Sequence, residues 1–359
     1  MKIVVSPEIF GLQRVGGISK YFAELHLALR EARVDAHVFA GLHINSYLQP
    51  QASIYGKPSR VARVRRLRRR FNEWTFRMWC ARQGDGLVVH RSYYSASIRP
   101  RCHRLVTTIH DLIPEMFPDR ASGVSEASTQ KRQSCEQADA ICVNSETTGR
   151  DLERMWGISK DRIWVTPLGV RPVAPSGKSW RPQVGEYLLQ VGPRQGYKNG
   201  LALFDAYAAS GLPRRVRLLC FGGGGFTAEE RTTLDRLGIA DQVQHHTGSD
   251  SDLAACYQQA LGFVCPSKYE GFGLPVLEAM AHGCPVACSR AGALPEVAGE
   301  CARYFDPENI ESIAEALREL AEGPEAFQDC RAAAVDRSRS FAWHRTAERT
   351  LQAYRGVRT

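Results

Sequence analysis

Gly262-Phe-Val-Cys-Pro-Ser-Lys-Tyr-Glu270-Gly-Phe-Gly-Leu-Pro-Val-Leu-Glu278 reads as a strand, a glycine loop and a helix in direct succession. The run 262–265 is apolar on both faces, as a parallel strand covered by helices must be. Gly271 and Gly273 let the backbone approach a ligand, and Pro275 suits the first turn of a helix expected over 276–282. That helix would aim its first N–H groups and positive dipole end into the loop, with Glu278 in its first turn. Carboxylates at both ends of a glycine loop suit a ligand with hydroxyls at its two ends and anionic phosphates between them. The alternative is two solvated glutamates around a tight strand–helix turn.

The same alternation runs outward along the chain. Strands are expected at 2–5, 36–39, 87–90, 105–109, 140–143 and 163–165, then at 187–191, 216–221, 243–246, 262–265, 286–289 and 303–305. Helical patterns lie between them. Strand and helix taking turns gives an α/β architecture with right-handed crossovers. Arg171-Pro-Val-Ala-Pro-Ser-Gly-Lys-Ser-Trp-Arg-Pro separates the two sets and reads as a linker. The expectation is two Rossmann-like domains, 1–170 and 185–340 joined by 171–184, with parallel sheets facing across a ligand cleft.

Three further loops follow strands. Val191-Gly-Pro-Arg194-Gln-Gly-Tyr-Lys198 places two cations four residues apart, a grip for a pyrophosphate unless both are simply solvated. Gly16-Gly17 opens a helix bearing Ile18, Phe22, Leu25 and Leu29, which fits a phosphate cradle. His110-Asp111 could meet a sugar hydroxyl or a reacting group, or could equally cap a turn. Two patterns are set aside. Asp250-Ser251-Asp252 resembles a metal-binding DxD but precedes a helical run, and reads as an N-terminal cap. Gly222-Gly-Gly-Gly225 lacks the third glycine of a dinucleotide fingerprint and reads as a flexible loop. No metal or other cofactor is expected.

The 359 residues, 43% apolar and 24% charged, exclude a disordered chain and a small disulfide scaffold. Net charge is +9, yet ten of the 47 basic residues and one of the 38 acids lie within 57–82. The rest of the chain is therefore neutral. Within that segment Val61, Val64, Leu67, Phe71, Trp74 and Met78 recur at helical spacing, and seven arginines between Arg60 and Arg70 crowd the other faces. Arg65, Arg66, Arg68, Arg69, Arg70, Trp74 and Trp79 are the expected contacts to an anionic membrane surface. The competing readings are a helix packing its stripe on the first domain, and nucleic acid. Eleven cysteines without a CxxC pair read as small buried hydrophobes. With no signal peptide and no run approaching the ~18 apolar residues of a membrane span, the expected location is cytoplasmic, at the inner face of the membrane.

The order Gly16-Gly17, His110, Arg194…Lys198, Glu270-x7-Glu278 resembles the retaining family-4 glycosyltransferases of the GT-B fold, over essentially the whole chain. Val143-Asn-Ser-Glu-Thr147, Thr166-Pro-Leu-Gly-Val170 and Phe341-Ala-Trp343 extend the likeness. The variants Gly16-Gly-Ile-Ser-Lys-Tyr-Phe22 and Gly192-Pro-Arg-Gln-Gly-Tyr-Lys-Asn199 are most similar to the branch of O-antigen mannosyltransferases. The resemblance implies that Arg194 and Lys198 hold the donor diphosphate, helped by N–H groups at Gly16 and Gly17. Glu270 would bind donor-sugar hydroxyls, Gly271, Phe272, Gly273 and Leu274 would present backbone, and Glu278 would bind the ribose. His110 would meet a sugar hydroxyl near the anomeric carbon, the base would lie near 246–253, and the tail 341–359 would cross back onto the first domain. The function implied is transfer of a hexose, from GDP-mannose or a GDP-deoxyhexose, to a membrane-linked glycan acceptor. Alternatives are a UDP- or dTDP-sugar donor, a glycosidase built on Glu270 and Glu278, and an Arg-rich nucleic-acid-binding protein.

Overall fold

The computed structural model describes residues 1–49, 51–59, 65–94, 104–117, 126–174, 185–322 and 328–356. The chain forms two compact units, Met1–Gly169 with Trp343–Thr359, and Val170–Ala342. The part of the proline-rich linker at 175–184 lies outside the described residues.

The first unit holds β1 (Lys2–Val5), β2 (Ala36–His43), β3 (Ile54–Pro58), β4 (Leu87–Arg91), β5 (Arg104–Ile109), β6 (Ala140–Val143) and β7 (Ile163–Val165). They form one sheet in the order β3-β2-β1-β4-β5-β6-β7, every described pair parallel. The second holds β8 (Tyr187–Val191), β9 (Arg217–Phe221), β10 (Val243–His246), β11 (Gly262–Cys265), β12 (Val286–Ser289) and β13 (Arg303–Phe305). Its order is β10-β9-β8-β11-β12-β13, again parallel. In each sheet the chain winds outward from its first strand, then returns to that strand's other side. The reversal leaves a crevice at the carboxyl ends of β1 and β4, and another at those of β8 and β11.

All twelve expected strands form, and β3 is the one the sequence did not announce. Ile54-Tyr-Gly-Lys-Pro58 mixes a glycine, a charge and a proline, a composition tolerated where a strand has one neighbour and half its surface in water. The first core gathers Ile3, Val5, Phe22, Leu25, Leu29 and Val38 with Trp343, Ala347 and Tyr354 of the C-terminal helix Trp343–Arg355. That helix is tied down by polar contacts too. Thr346 Oγ1 donates to the Pro167 carbonyl at 2.7 Å, and the Tyr354 hydroxyl lies 2.7 Å from His90 Nδ1. The ten cysteines among the described residues are free thiols, eight of them buried.

The basic segment forms the helix Arg65–Ala81; residues 60–64, with Val61 and Val64, lie outside the described residues. Its buried side is Arg68, Asn72, Phe76 and Cys80. Leu67, Phe71, Trp74 and Met78 face solvent, 64%, 48%, 62% and 40% exposed, so the apolar stripe does not pack on its own domain. Two of the expected membrane contacts are corrected here. Arg68 is buried, its Nη2 donating to the Gly11 carbonyl at 2.7 Å. Trp79 turns inward against Tyr55 and Phe39, with the Lys2 ammonium over its ring. Arg65, Arg66, Arg69 and Arg70 are exposed beside the stripe. No described helix is long and apolar enough to cross a membrane.

Candidate functional site

The crevice between β8 and β11 is built from the loops that leave those strands. Backbone joins them, since Lys268 N donates to the Tyr197 carbonyl at 2.7 Å. This brings Lys198 and Glu270 together: Lys198 Nζ donates to Glu270 Oε1 at 2.7 Å, with both side chains partly exposed. The Ser267 hydroxyl donates to the same oxygen at 2.6 Å. Burial alone would lower the Lys198 pKa, but the Glu270 carboxylate, the Tyr197 ring beneath it and the hydrogen bond carry it above its ordinary value. The ammonium is a permanent cation.

The helix that follows is Leu274–Ala281, with Gly273 as N-cap at φ +96° and no side-chain cap. The positive φ requires glycine at Gly273, and a β-carbon there would also push the tip of the Leu294 side chain, 2.5 Å away. The helix starts two residues earlier than expected. Glu278 is therefore a full turn inside it, near enough to the Tyr257 phenol to help raise its pKa beyond what burial does. Phe272 is buried edge-on against Phe341.

Behind Glu270 sits Gly292, unremarked in the sequence. A β-carbon there would lie 2.3 Å from the Glu270 carbonyl oxygen and 2.7 Å from its nitrogen, at a φ of +57°. Gly292→Ala is accordingly expected to cost about 1–3 kcal/mol in stability and to displace the Lys198–Glu270 pair. Thermal denaturation and donor KM check this; an unchanged melting point with wild-type KM would refute it.

Arg194 corrects the expected pair of cations. Its side chain is fully buried, Nε donating to Glu230 Oε1 at 2.8 Å and Nη2 to the Gly224 and Gly225 carbonyls at 2.9 and 3.3 Å. Phe226 lies against it, 4.9 Å from the guanidinium carbon. Glu230 closes a capping box on Thr227 and is held below its ordinary pKa by Arg194, despite burial. The guanidinium is thus spent on Gly222–Gly225. Gly222, Gly223 and Gly224 have positive φ, and the carbonyls of Gly222, Gly224 and Gly225 accept from Arg194, so the flexible loop expected there is a tied one. Asp250-Ser251-Asp252 stands at a helix N-terminus, as expected: Ser249 is the N-cap of Asp250–Gln259, and Asp252 completes the capping box.

In the first unit Gly16 precedes the helix Gly17–Glu31 in extended backbone. Gln13 Oε1 accepts from Ser19 N at 3.1 Å, while a β-carbon at Gly17 would meet open space. His110 follows β5 with its ring edge-on to Tyr21, 5.2 Å between centroids. Its Nε2 is buried without a protein partner. Burial, and then the Lys131 charge, push its pKa down to about 4, so the ring is neutral at physiological pH.

Residues 15–173 match the family described as Glycosyltransferase Family 4, and residues 178–337 match Glycosyl transferases group 1. The chain belongs to the family-4 glycosyltransferases of the GT-B fold. This glycosyltransferase is 28% identical to O-antigen chain mannosyltransferase B of Escherichia coli, over 77% of its own length and 76% of that protein. It is 27% identical to the MMP alpha-(1->4)-mannosyltransferase of Mycolicibacterium hassiacum over 94% of each chain. Its fold matches sucrose-phosphate synthase of Thermosynechococcus elongatus, TM-score 0.78 at 21% identity over 98% of both chains. It also matches WaaG, a glycosyltransferase of lipopolysaccharide biosynthesis, TM-score 0.72 at 14% identity over 98% of both.

Proposed function

We propose that this glycosyltransferase moves a mannosyl or closely related hexosyl unit from a GDP-linked donor to a membrane-linked glycan, with retention and without a metal, in bacterial surface-polysaccharide synthesis. The observation that carries the reading is the Lys198–Glu270 pair beside the uncapped N-terminus of Leu274–Ala281. Breaking the sugar–phosphate bond leaves positive charge on the sugar and negative charge on the diphosphate. A permanent ammonium and oriented N–H groups stabilise that diphosphate without reorganising. Glu270, adjacent to the cation, suits the sugar hydroxyls, and Glu278 the ribose. The leaving phosphate oxygen takes the acceptor's proton on the same face, which accounts for retention without an enzyme nucleophile. The mannosyltransferases among the relatives support the sugar.

The test is calorimetric titration with GDP, UDP and dTDP, without added metal, on the wild type and Glu278→Ala. GDP is expected to bind best and the substitution to weaken it about tenfold, as loss of hydrogen bonds to a hydroxyl pair does. Preference for UDP or dTDP would move the assignment to that base. No binding at millimolar nucleotide would overturn the donor site.

A second observation bears on where the enzyme works. The exposed stripe Leu67, Phe71, Trp74 and Met78, bordered by Arg65, Arg66, Arg69 and Arg70, supports peripheral attachment to an anionic membrane surface.

A further inference from the structure

We propose that Lys131 is a positioning residue for His110: its buried ammonium ties the His110–Asp111 turn to the helix Glu126–Gln137 and holds its charge at the Asp111 carbonyl, one residue from the imidazole. Lys131 is 3% exposed, and burying an ammonium costs several kcal/mol unless it is paired and hydrogen-bonded. Here it is both. Nζ donates to Glu115 Oε2 at 2.9 Å and to the Asp111 carbonyl at 3.1 Å, and sits over the Tyr94 ring at 5.2 Å. Asp111 Oδ1 in turn accepts from Ile113 N at 3.1 Å, so the turn after β5 is held from two directions.

With the Glu115 carboxylate and the Asp111 carbonyl as its two acceptors, the ammonium holds the turn in a way that an apolar side chain could not. His110 is bordered by the Tyr21 and Phe22 rings, by His90 behind them, and by the Tyr94 hydroxyl at its backbone. Burial pushes His90 to about 3, so that ring is uncharged. Of the groups that act on His110, Lys131 is the cation that disfavours a proton on its ring. A neutral imidazole with Nε2 unspent offers a hydrogen bond to a sugar hydroxyl; an imidazolium would repel a sugar developing positive charge.

The inference rests on the reading of His110 as a sugar contact, and the experiment separates the two. The His110 ring signal, assigned by its loss in His110→Gln, is titrated by NMR in wild type, Lys131→Met, Lys131→Arg and Lys131→Gln. The last keeps a donor for the Asp111 carbonyl should the methionine variant not fold. His110 is expected to titrate about one pH unit higher without the charge and unchanged in Lys131→Arg. The acid limb of kcat should rise with it, while donor KM at pH 8 changes little. A folded Lys131→Met or Lys131→Gln protein whose His110 titrates as in wild type overturns the proposal. A moved titration with an unmoved kcat profile supports the role of Lys131 and overturns the sugar contact at His110 instead.

Discussion

Arg194→Met is expected to unfold the second unit at a much lower temperature, whereas Lys198→Met is expected to leave it folded and nearly inactive. The two cations stand four residues apart in one loop, yet the fold gives them opposite work. Removing the Arg194 guanidinium strands the Glu230 carboxylate in the interior and leaves the Gly224 and Gly225 carbonyls without their donor. Breaking one partner of a buried ion pair costs about 3–5 kcal/mol. For a unit of this size that lowers Tm by roughly 10 °C. Lys198 is partly exposed, and its loss leaves Glu270 with Ser267 and solvent, a small change in stability. Its charge faces the crevice where a diphosphate would leave, and deleting one such preorganised group costs about 10²–10³ in kcat. Thermal denaturation and transfer assays on both variants decide it. An Arg194→Met protein with a wild-type melting point and a selective kcat defect would return Arg194 to the donor site.

That division could not be read from the sequence. An arginine on a Gly/Pro loop after a strand has the right charge and place for a phosphate. What turns it inward is Glu230, thirty-six residues on, which also caps its own helix. The glycine run suffers from the same blindness: four glycines announce freedom, and the carbonyls that Arg194 binds are visible only in three dimensions. Local patterning did better. Apolar runs on both faces located twelve strands because parallel strands are buried whichever way they face, and β3 escaped because an edge strand need not be. The Glu270 loop was legible because Gly273 and Pro275 are demanded by backbone geometry. Gly292 was not, since the atoms that demand it belong to Glu270, twenty-two residues earlier.

The helix Arg65–Ala81 yields the other large effect. Periodicity found its apolar stripe but assumed that its partner, if protein, would be its own domain. In the structure the opposite face does that work: Arg68 reaches the Gly11 carbonyl, and Asn72 bonds both the N–H and the carbonyl of Leu42. Leu67, Phe71, Trp74 and Met78 are left in water at a stripe's spacing, a costly arrangement unless something apolar covers them. A nucleic-acid duplex bound through its phosphates would use the arginines and ignore the stripe; an anionic bilayer uses both. Each buried apolar side chain contributes about 1.5 kcal/mol at least, and each arginine near the surface about 1 kcal/mol. The double variant Phe71→Ser, Trp74→Ser is therefore expected to weaken binding to phosphatidylglycerol vesicles about 10²-fold at unchanged Tm, because both side chains are already exposed. Changing Arg65, Arg66, Arg69 and Arg70 to Gln should weaken it about 10³-fold and remove most of its salt dependence. Vesicle sedimentation measures both. If the serine variant binds vesicles like wild type while the glutamine variant loses DNA binding, the stripe is not a membrane face. The arginines would then belong to a duplex polyanion, which binds through its phosphates and is indifferent to Trp74.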